Sequence, residues 1–144
     1  MQINKTKLFI IKGDITQVEL DAIVNSTTTS LAMSGGLAAA IKKEGGAIIE
    51  QEALRQAPVK AGDAIKTSAG SLSVKYVIHA AISEPDMPPS EVTIRNAVRN
   101  SLVLAAQLGL RSLAFPAMGC TGGGYPVWAT AKIMAQEIYK HTTY

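Results

Sequence analysis

The residues that could do chemistry in this 144-residue chain gather around two glycine-rich stretches. The first is Leu31-Ala32-Met33-Ser34-Gly35-Gly36, and the second is Ala117-Met118-Gly119-Cys120-Thr121-Gly122-Gly123-Gly124-Tyr125-Pro126. Each follows a short apolar run that reads as a strand and precedes a run that reads as a helix. Backbone N–H groups in such a turn converge on one point, and the helix dipole behind them adds about half a positive charge. That chemistry suits a phosphate, and two such turns side by side could clamp a pyrophosphate from both ends. Glycines also mark tight turns and helix caps, a reading that stays open for Gly35-Gly36. Four glycines between Gly119 and Gly124 are more than a turn requires.

The other reactive side chains form no constellation. Cys120 is the only cysteine, which excludes a disulfide framework and any multi-thiolate metal site, and no metal is expected. A thiol phosphatase would need an arginine where Pro126 stands, so Cys120 is read as a loop residue offering its amide. No G-x-x-x-x-G-K-[ST], G-x-G-x-x-G or G-x-S-x-G pattern occurs, which argues against a P-loop nucleotidase, a dinucleotide dehydrogenase and a nucleophile elbow. His79 and His141 are isolated; His79, inside an apolar run, is read as a hydrogen-bonded core residue. Trp128, near the start of the last helix, is read as packing.

The elements that must hold the two turns follow from pattern and punctuation. Strands are predicted over Lys7–Ile11, Asp21–Asn25, Asp63–Ser68, Lys75–Ile82 and Leu113–Pro116, the fourth apolar on both faces and therefore central. Helices are predicted over Leu37–Glu44 and Ala47–Ala57, from the cap Ser90 to about Leu108, and from Pro126 onward. In the last of these Val127, Ala131, Met134 and Ile138 share one face. Strands alternating with helices predict an α/β domain with helices on both faces of the sheet, and ligands at the carboxyl ends of its strands.

Composition agrees with one soluble domain: 47% hydrophobic, 17% charged, with no apolar run long enough to span a membrane and no secretory signal at the start. A cytoplasmic location is the expectation. A net charge of +3 mildly favours anionic ligands, but no basic stripe with interleaved aromatics argues for nucleic acid.

Four motifs in order resemble the macro domain family: Gly13–Thr16 (GDIT), Asp21–Ile41 (DAIVNSTTTSLAMSGGLAAAI), Val77–Ala80 (VIHA) and Phe115–Pro126 (FPAMGCTGGGYP). The resemblance covers nearly the whole chain. It implies a three-layer α/β/α sandwich with a mixed central sheet over residues 1–144, and a cleft that binds ADP-ribose or a related metabolite, free or as the terminus of an ADP-ribosylated protein, without a cofactor. Carried over by position, Asp14 would accept a hydrogen bond from the adenine amine, with the backbone of Ile15 beside it. The amides of Gly35, Gly36 and Leu37 would hold one phosphate. Those from Gly119, Cys120, Thr121, Gly122, Gly123, Gly124 and Tyr125 would hold the other and border the distal ribose. Asn25 would order the first loop from the strand end.

The departures lie at the reactive end. Thr28 stands where family members usually carry an asparagine that reaches the distal ribose. Ala38 stands where members that remove ADP-ribose from acidic side chains carry an aspartate, and Gly123 where an aromatic often stacks on that ribose. The resemblance therefore implies a binding module first, with slow ADP-ribosyl or O-acetyl-ADP-ribose hydrolysis, or ADP-ribose 1″-phosphate hydrolysis, as the alternative. Members also continue past this chain's last helix with one more strand and helix. The domain is accordingly expected to be C-terminally short, its sheet left open unless another chain fills the gap.

Overall fold

The structure is a computed structural model that describes residues 1–120 and 124–142. Its centre is a pair of parallel strands, β3 (Ala22–Thr28) and β5 (Tyr76–Ser83), in register from Ala22 opposite Tyr76. Neither strand contains a formal charge, so both faces can be covered. β4 (Ala64–Ser68) adds antiparallel to β5, and β6 (Leu113–Ala114) adds parallel to β3, giving the order β4-β5-β3-β6 in a mixed sheet. β1 (Gln2–Ile3) and β2 (Thr6–Lys7) form a separate antiparallel hairpin.

Two-residue alternation along the strands sends side chains into two cores. Ala22, Val24, Ile78 and Ala80 face α3 (Glu91–Gln107) and α4 (Val127–Thr142), meeting Ile94, Ala97, Val98 and Ile133. Ile23 and Val77 face the other way, onto Met33 and the helices α1 (Gly36–Gly45) and α2 (Ala47–Leu54), through Ala38, Ile41 and Ile49. Helix, sheet and helix thus make the three expected layers. Among the described residues no helix is long and apolar enough to cross a membrane.

Most element boundaries follow local chemistry. Ser90 caps α3 in a reciprocal box with Thr93: each backbone N–H is bonded to the other's side-chain oxygen. α2 stops at Leu54, short of the expected Ala57, because Pro58 has no N–H to donate to the Leu54 carbonyl. Instead, Gln56 and Ala57 donate to Ala53 and Leu54 in a tightened last turn. β3 runs on to Thr28, beyond the predicted end at Asn25, because β5 continues beside it as far as Ser83. β6 is shorter than predicted, ending at Ala114.

Three expectations are overturned. The predicted strand Lys7–Ile11 does not form: only Thr6–Lys7 pairs, and Phe9, Ile10 and Ile11 are 73%, 94% and 74% exposed. An apolar run becomes a strand only where a neighbour completes its ladder. Here Leu8 closes the hairpin by donating to the Met1 carbonyl at 2.7 Å, and the residues after it have no sheet partner among the described residues. In α4 the inward face carries Thr130, Ile133 and Glu137, whereas Val127 and Ala131 point to solvent. Two polar residues turn inward because each finds a partner there: Thr130 donates to the Met118 carbonyl at 2.6 Å, and Glu137 pairs with Arg95 of α3 at 3.1 Å. Trp128 is exposed as well, at 74%, and is not a packing residue.

Candidate functional site

β3 and β6 are hydrogen-bonded neighbours running in the same direction, so the two glycine-rich stretches follow strands that point toward the same end of the sheet. The first stretch is pinned at several points before it reaches α1. Thr28 Oγ1 lies 3.0 Å from Ser30 Oγ, and Leu31 donates its N–H to the Thr28 carbonyl at 3.0 Å. Leu31 adopts φ 60° with its side chain fully buried, and Met33 is buried two residues on. The Met33 N–H donates to Glu50 Oε2 at 2.6 Å, while Glu50 Oε1 accepts from Lys42 Nζ at 2.7 Å. Those two donors hold the Glu50 carboxyl below its usual range, Lys42 contributing most and the Met33 amide next.

Beyond this anchor the chain opens. Gly35 is the N-cap of α1, in extended backbone, and offers no side chain to the helix end; Gly36 takes φ +58°, which a side chain would disfavour. A Cβ at either position would meet nothing within 4 Å. The amides of the helix's first turn, at Gly36, Leu37 and Ala38, have no intrahelical acceptor. They are donors at the positive end of the helix dipole. Ala38 itself turns inward against the α1–α2 core, so no carboxylate stands in that first turn.

Asp14 lies on a 3-10 turn, Ile15–Gln17, that packs against α1. Its Oδ1 accepts from Thr16 N at 2.9 Å and from Thr16 Oγ1 at 2.7 Å, and the hydroxyl bond, then the amide bond, keeps the carboxyl below its ordinary range. Asp14 is therefore a turn cap through one oxygen. The other, Oδ2, faces out from an exposed residue and has no hydrogen-bond partner among the described residues. Ile15 is half-buried and packs onto the α1–α2 core.

The second stretch closes on itself. Gly119 takes φ +80°, which favours glycine, and a Cβ there would press on Ile94 Cδ1 at 3.1 Å and Pro89 Cγ at 3.3 Å. Tyr125 donates its N–H to the Gly119 carbonyl at 3.0 Å, and Cys120 donates to Ala117 at 3.3 Å. In this structure the amides of Cys120 and Tyr125 both serve the turn's own closure. Gly124, exposed and at φ +70°, is the described residue of this stretch that remains open. Thr121, Gly122 and Gly123 lie outside the described residues.

Asn25 is fully buried, and its amide does not reach the loop. Asn25 Nδ2 lies 3.1 Å from His79 Nδ1, and His79 Nε2 lies 2.9 Å from Thr67 Oγ1, which itself donates to the Ser68 carbonyl at 2.9 Å. One assignment satisfies the whole relay: Nδ1 accepts from Asn25 and Nε2–H donates to Thr67. The network ties β3, β5 and β4 together beneath the first turn, and burial pushes the imidazole down to about 4 against a partly opposing pull from Glu52. His79 is thus the neutral core residue that the sequence suggests. Asn25 Oδ1 is left without a partner.

Sequence reasoning missed Glu50, Lys42 and Thr130, the residues that hold the two turns. Glu50 is 17 positions from the amide it accepts and Thr130 is 12 from its carbonyl, distances at which no local spacing rule applies.

Comparison with known proteins points in one direction. A family model described as Macro domain matches residues 24–134. An uncharacterized protein of Aquifex aeolicus is 44% identical over 91% of this chain and 80% of its own length. An uncharacterized protein of Mycobacterium tuberculosis is 39% identical over 96% of this chain, which spans 39% of that protein. Among solved structures, the Trypanosoma brucei macrodomain in complex with ADP-ribose superposes with a TM-score of 0.83 at 28% identity, covering 92% of this chain and 56% of that one. The Oceanobacillus iheyensis macrodomain with ADP gives 0.82 at 28% identity, covering 92% and 75%.

Proposed function

The chain belongs to the macro domain family, and from that premise we propose that it is an ADP-ribose-binding module. The observation that carries this reading is the pair of glycine-rich turns after the neighbouring parallel strands β3 and β6, the first ending at an exposed Gly35-Gly36 helix start whose first-turn amides have no intrahelical acceptor. In this reading those amides, at Gly36 and Leu37 with Gly35 before them, hold one phosphate, and the second turn holds the other through Gly124 and its neighbours. The free oxygen of Asp14 accepts from the adenine amine. An ionised carboxylate only accepts, so it selects an amine over a carbonyl at that position of the base. The solved relatives bound to ADP-ribose and to ADP support the ligand class.

The ligand is free ADP-ribose or the ADP-ribose terminus of a modified protein, met in the cytoplasm. Turnover of an ADP-ribosyl ester, O-acetyl-ADP-ribose or ADP-ribose 1″-phosphate is the lesser reading: at Ala38 there is no carboxylate to position a water, and the Thr28 hydroxyl is engaged with Ser30. Titration calorimetry with ADP-ribose, ADP and the inosine analogue of ADP-ribose tests the reading. Binding of ADP-ribose, weakened at least about tenfold in the inosine form, is expected from the loss of one charge-assisted hydrogen bond. A folded sample that binds none of the three refutes it.

A further inference from the structure

The geometry points to Glu50 as the positioning residue of the first glycine-rich turn: its carboxylate, tethered by Lys42, holds the Met33 amide and so sets where the open amides of Gly36 and Leu37 stand. Glu50 belongs to α2 and Lys42 to α1, so one side chain joins the helix that presents the donors, the loop that leads into it and the helix behind. Between Met33 and the cap Gly35 there is only Ser34; both Ser34 and Gly35 are exposed, and the cap makes no side-chain hydrogen bond to the helix end. The buried side chains of Leu31 and Met33 fix the depth of the loop. A hydrophobic side chain can still rotate in its pocket, whereas the 2.6 Å bond from Met33 N–H to Glu50 Oε2 also fixes the peptide plane two residues before the cap. A donor set of this kind gains affinity by being placed before the ligand arrives.

The ligand in this inference rests on the ADP-ribose reading above; the latch itself does not. Three variants separate its parts. Glu50→Met removes both acceptors, Glu50→Gln keeps an oxygen for Met33 while dropping the charge, and Lys42→Met frees the carboxylate without removing it. Amide NMR spectra are recorded for each, without ligand and during titration with ADP-ribose. Expected without ligand is a strongly downfield Met33 amide in the wild-type protein that moves upfield in Glu50→Met, with the Gly35 and Gly36 resonances shifting alongside. Expected with ligand is affinity about tenfold weaker in Glu50→Met, restored to within about threefold of wild type in Glu50→Gln, with Lys42→Met between them. Rescue by glutamine separates a positioned acceptor from bulk packing. Wild-type affinity in Glu50→Met, or glutamine as damaging as methionine, overturns the proposal. If Glu50→Met does not fold, Lys42→Met decides: unmoved Met33, Gly35 and Gly36 amides overturn it. If the wild-type protein binds no ADP-ribose, the ligand reading fails while the unliganded amide shifts still judge the latch.

Discussion

Lowering the pH from 7 to 5 is expected to cost the protein about 2 kcal/mol of folding stability through His79 alone. In the folded state the imidazole is fully buried, accepts at Nδ1 from Asn25 and donates from Nε2 to Thr67, and its pKa lies at about 4 against 6.5 for a free side chain. Protonation would place a charge in an apolar layer and set two donors, Nδ1–H and the Asn25 amide, against each other. The unfolded chain takes up its proton below pH 6.5 while the folded one stays neutral, so the unfolded state binds more protons and stability falls with pH. The loss builds between 6.5 and 4 and reaches about 3 kcal/mol in full, since each unit of pKa difference is worth about 1.4 kcal/mol. Four carboxylates, Asp14, Asp21, Glu50 and Glu52, are held low mainly by hydrogen bonds from Thr16, the Arg111 amide, Lys42 and Ser68 respectively. Their contribution is present above their unfolded values, 3.8 for aspartate and 4.5 for glutamate, and is lost as pH falls below them, so the window from 7 to 5 isolates the histidine. The assay is urea denaturation at half-unit pH intervals, with His79→Gln as the non-titrating control. Wild type should lose about 2 kcal/mol more than the variant across that window. Parallel decline of the two would refute the neutral, buried relay.

Asp14→Asn should leave the turn intact, because its amide oxygen can still accept from Thr16, yet weaken ADP-ribose roughly ten- to a hundredfold by turning the free oxygen into a donor; the inosine analogue should lose far less, which calorimetry on the two ligands reads directly. Thr130→Val should cost about 1–3 kcal/mol in thermal unfolding, since it leaves the buried Met118 carbonyl with only the weak, 3.9 Å contact from the Cys120 thiol, and should weaken ADP-ribose by loosening the second turn. An unchanged melting temperature would mean that the α4 contact is incidental.

Much of the site's frame was legible because it is local. The uncharged runs of β3 and β5 can only be buried, Gly36, Gly119 and Gly124 take positive φ that a side chain disfavours, and Ser90 starts its helix from its own side chain. The resemblance of four motifs to the macro domain family adds the expected ligand class to that frame.

What the sequence could not decide is where groups distant in the chain meet. Leu8 to Ile11 has the composition of a strand, yet a strand needs a neighbour, and the Met1–Leu8 hairpin leaves Phe9, Ile10 and Ile11 exposed. Glu137 is held inside by Arg95 reaching from another helix, and Asn25 reads as a strand-end residue that orders the first loop until His79 lies opposite it on β5. The same holds for the amides of Cys120 and Tyr125, to which the family resemblance assigns a phosphate and which in this structure close the turn. Periodicity, caps and glycines determine which backbone shapes are cheap within a few residues. Hydrogen bonds are spent only once, and which donor meets which acceptor is settled by tertiary packing, because an unpaired buried polar group costs more than any local preference can offset.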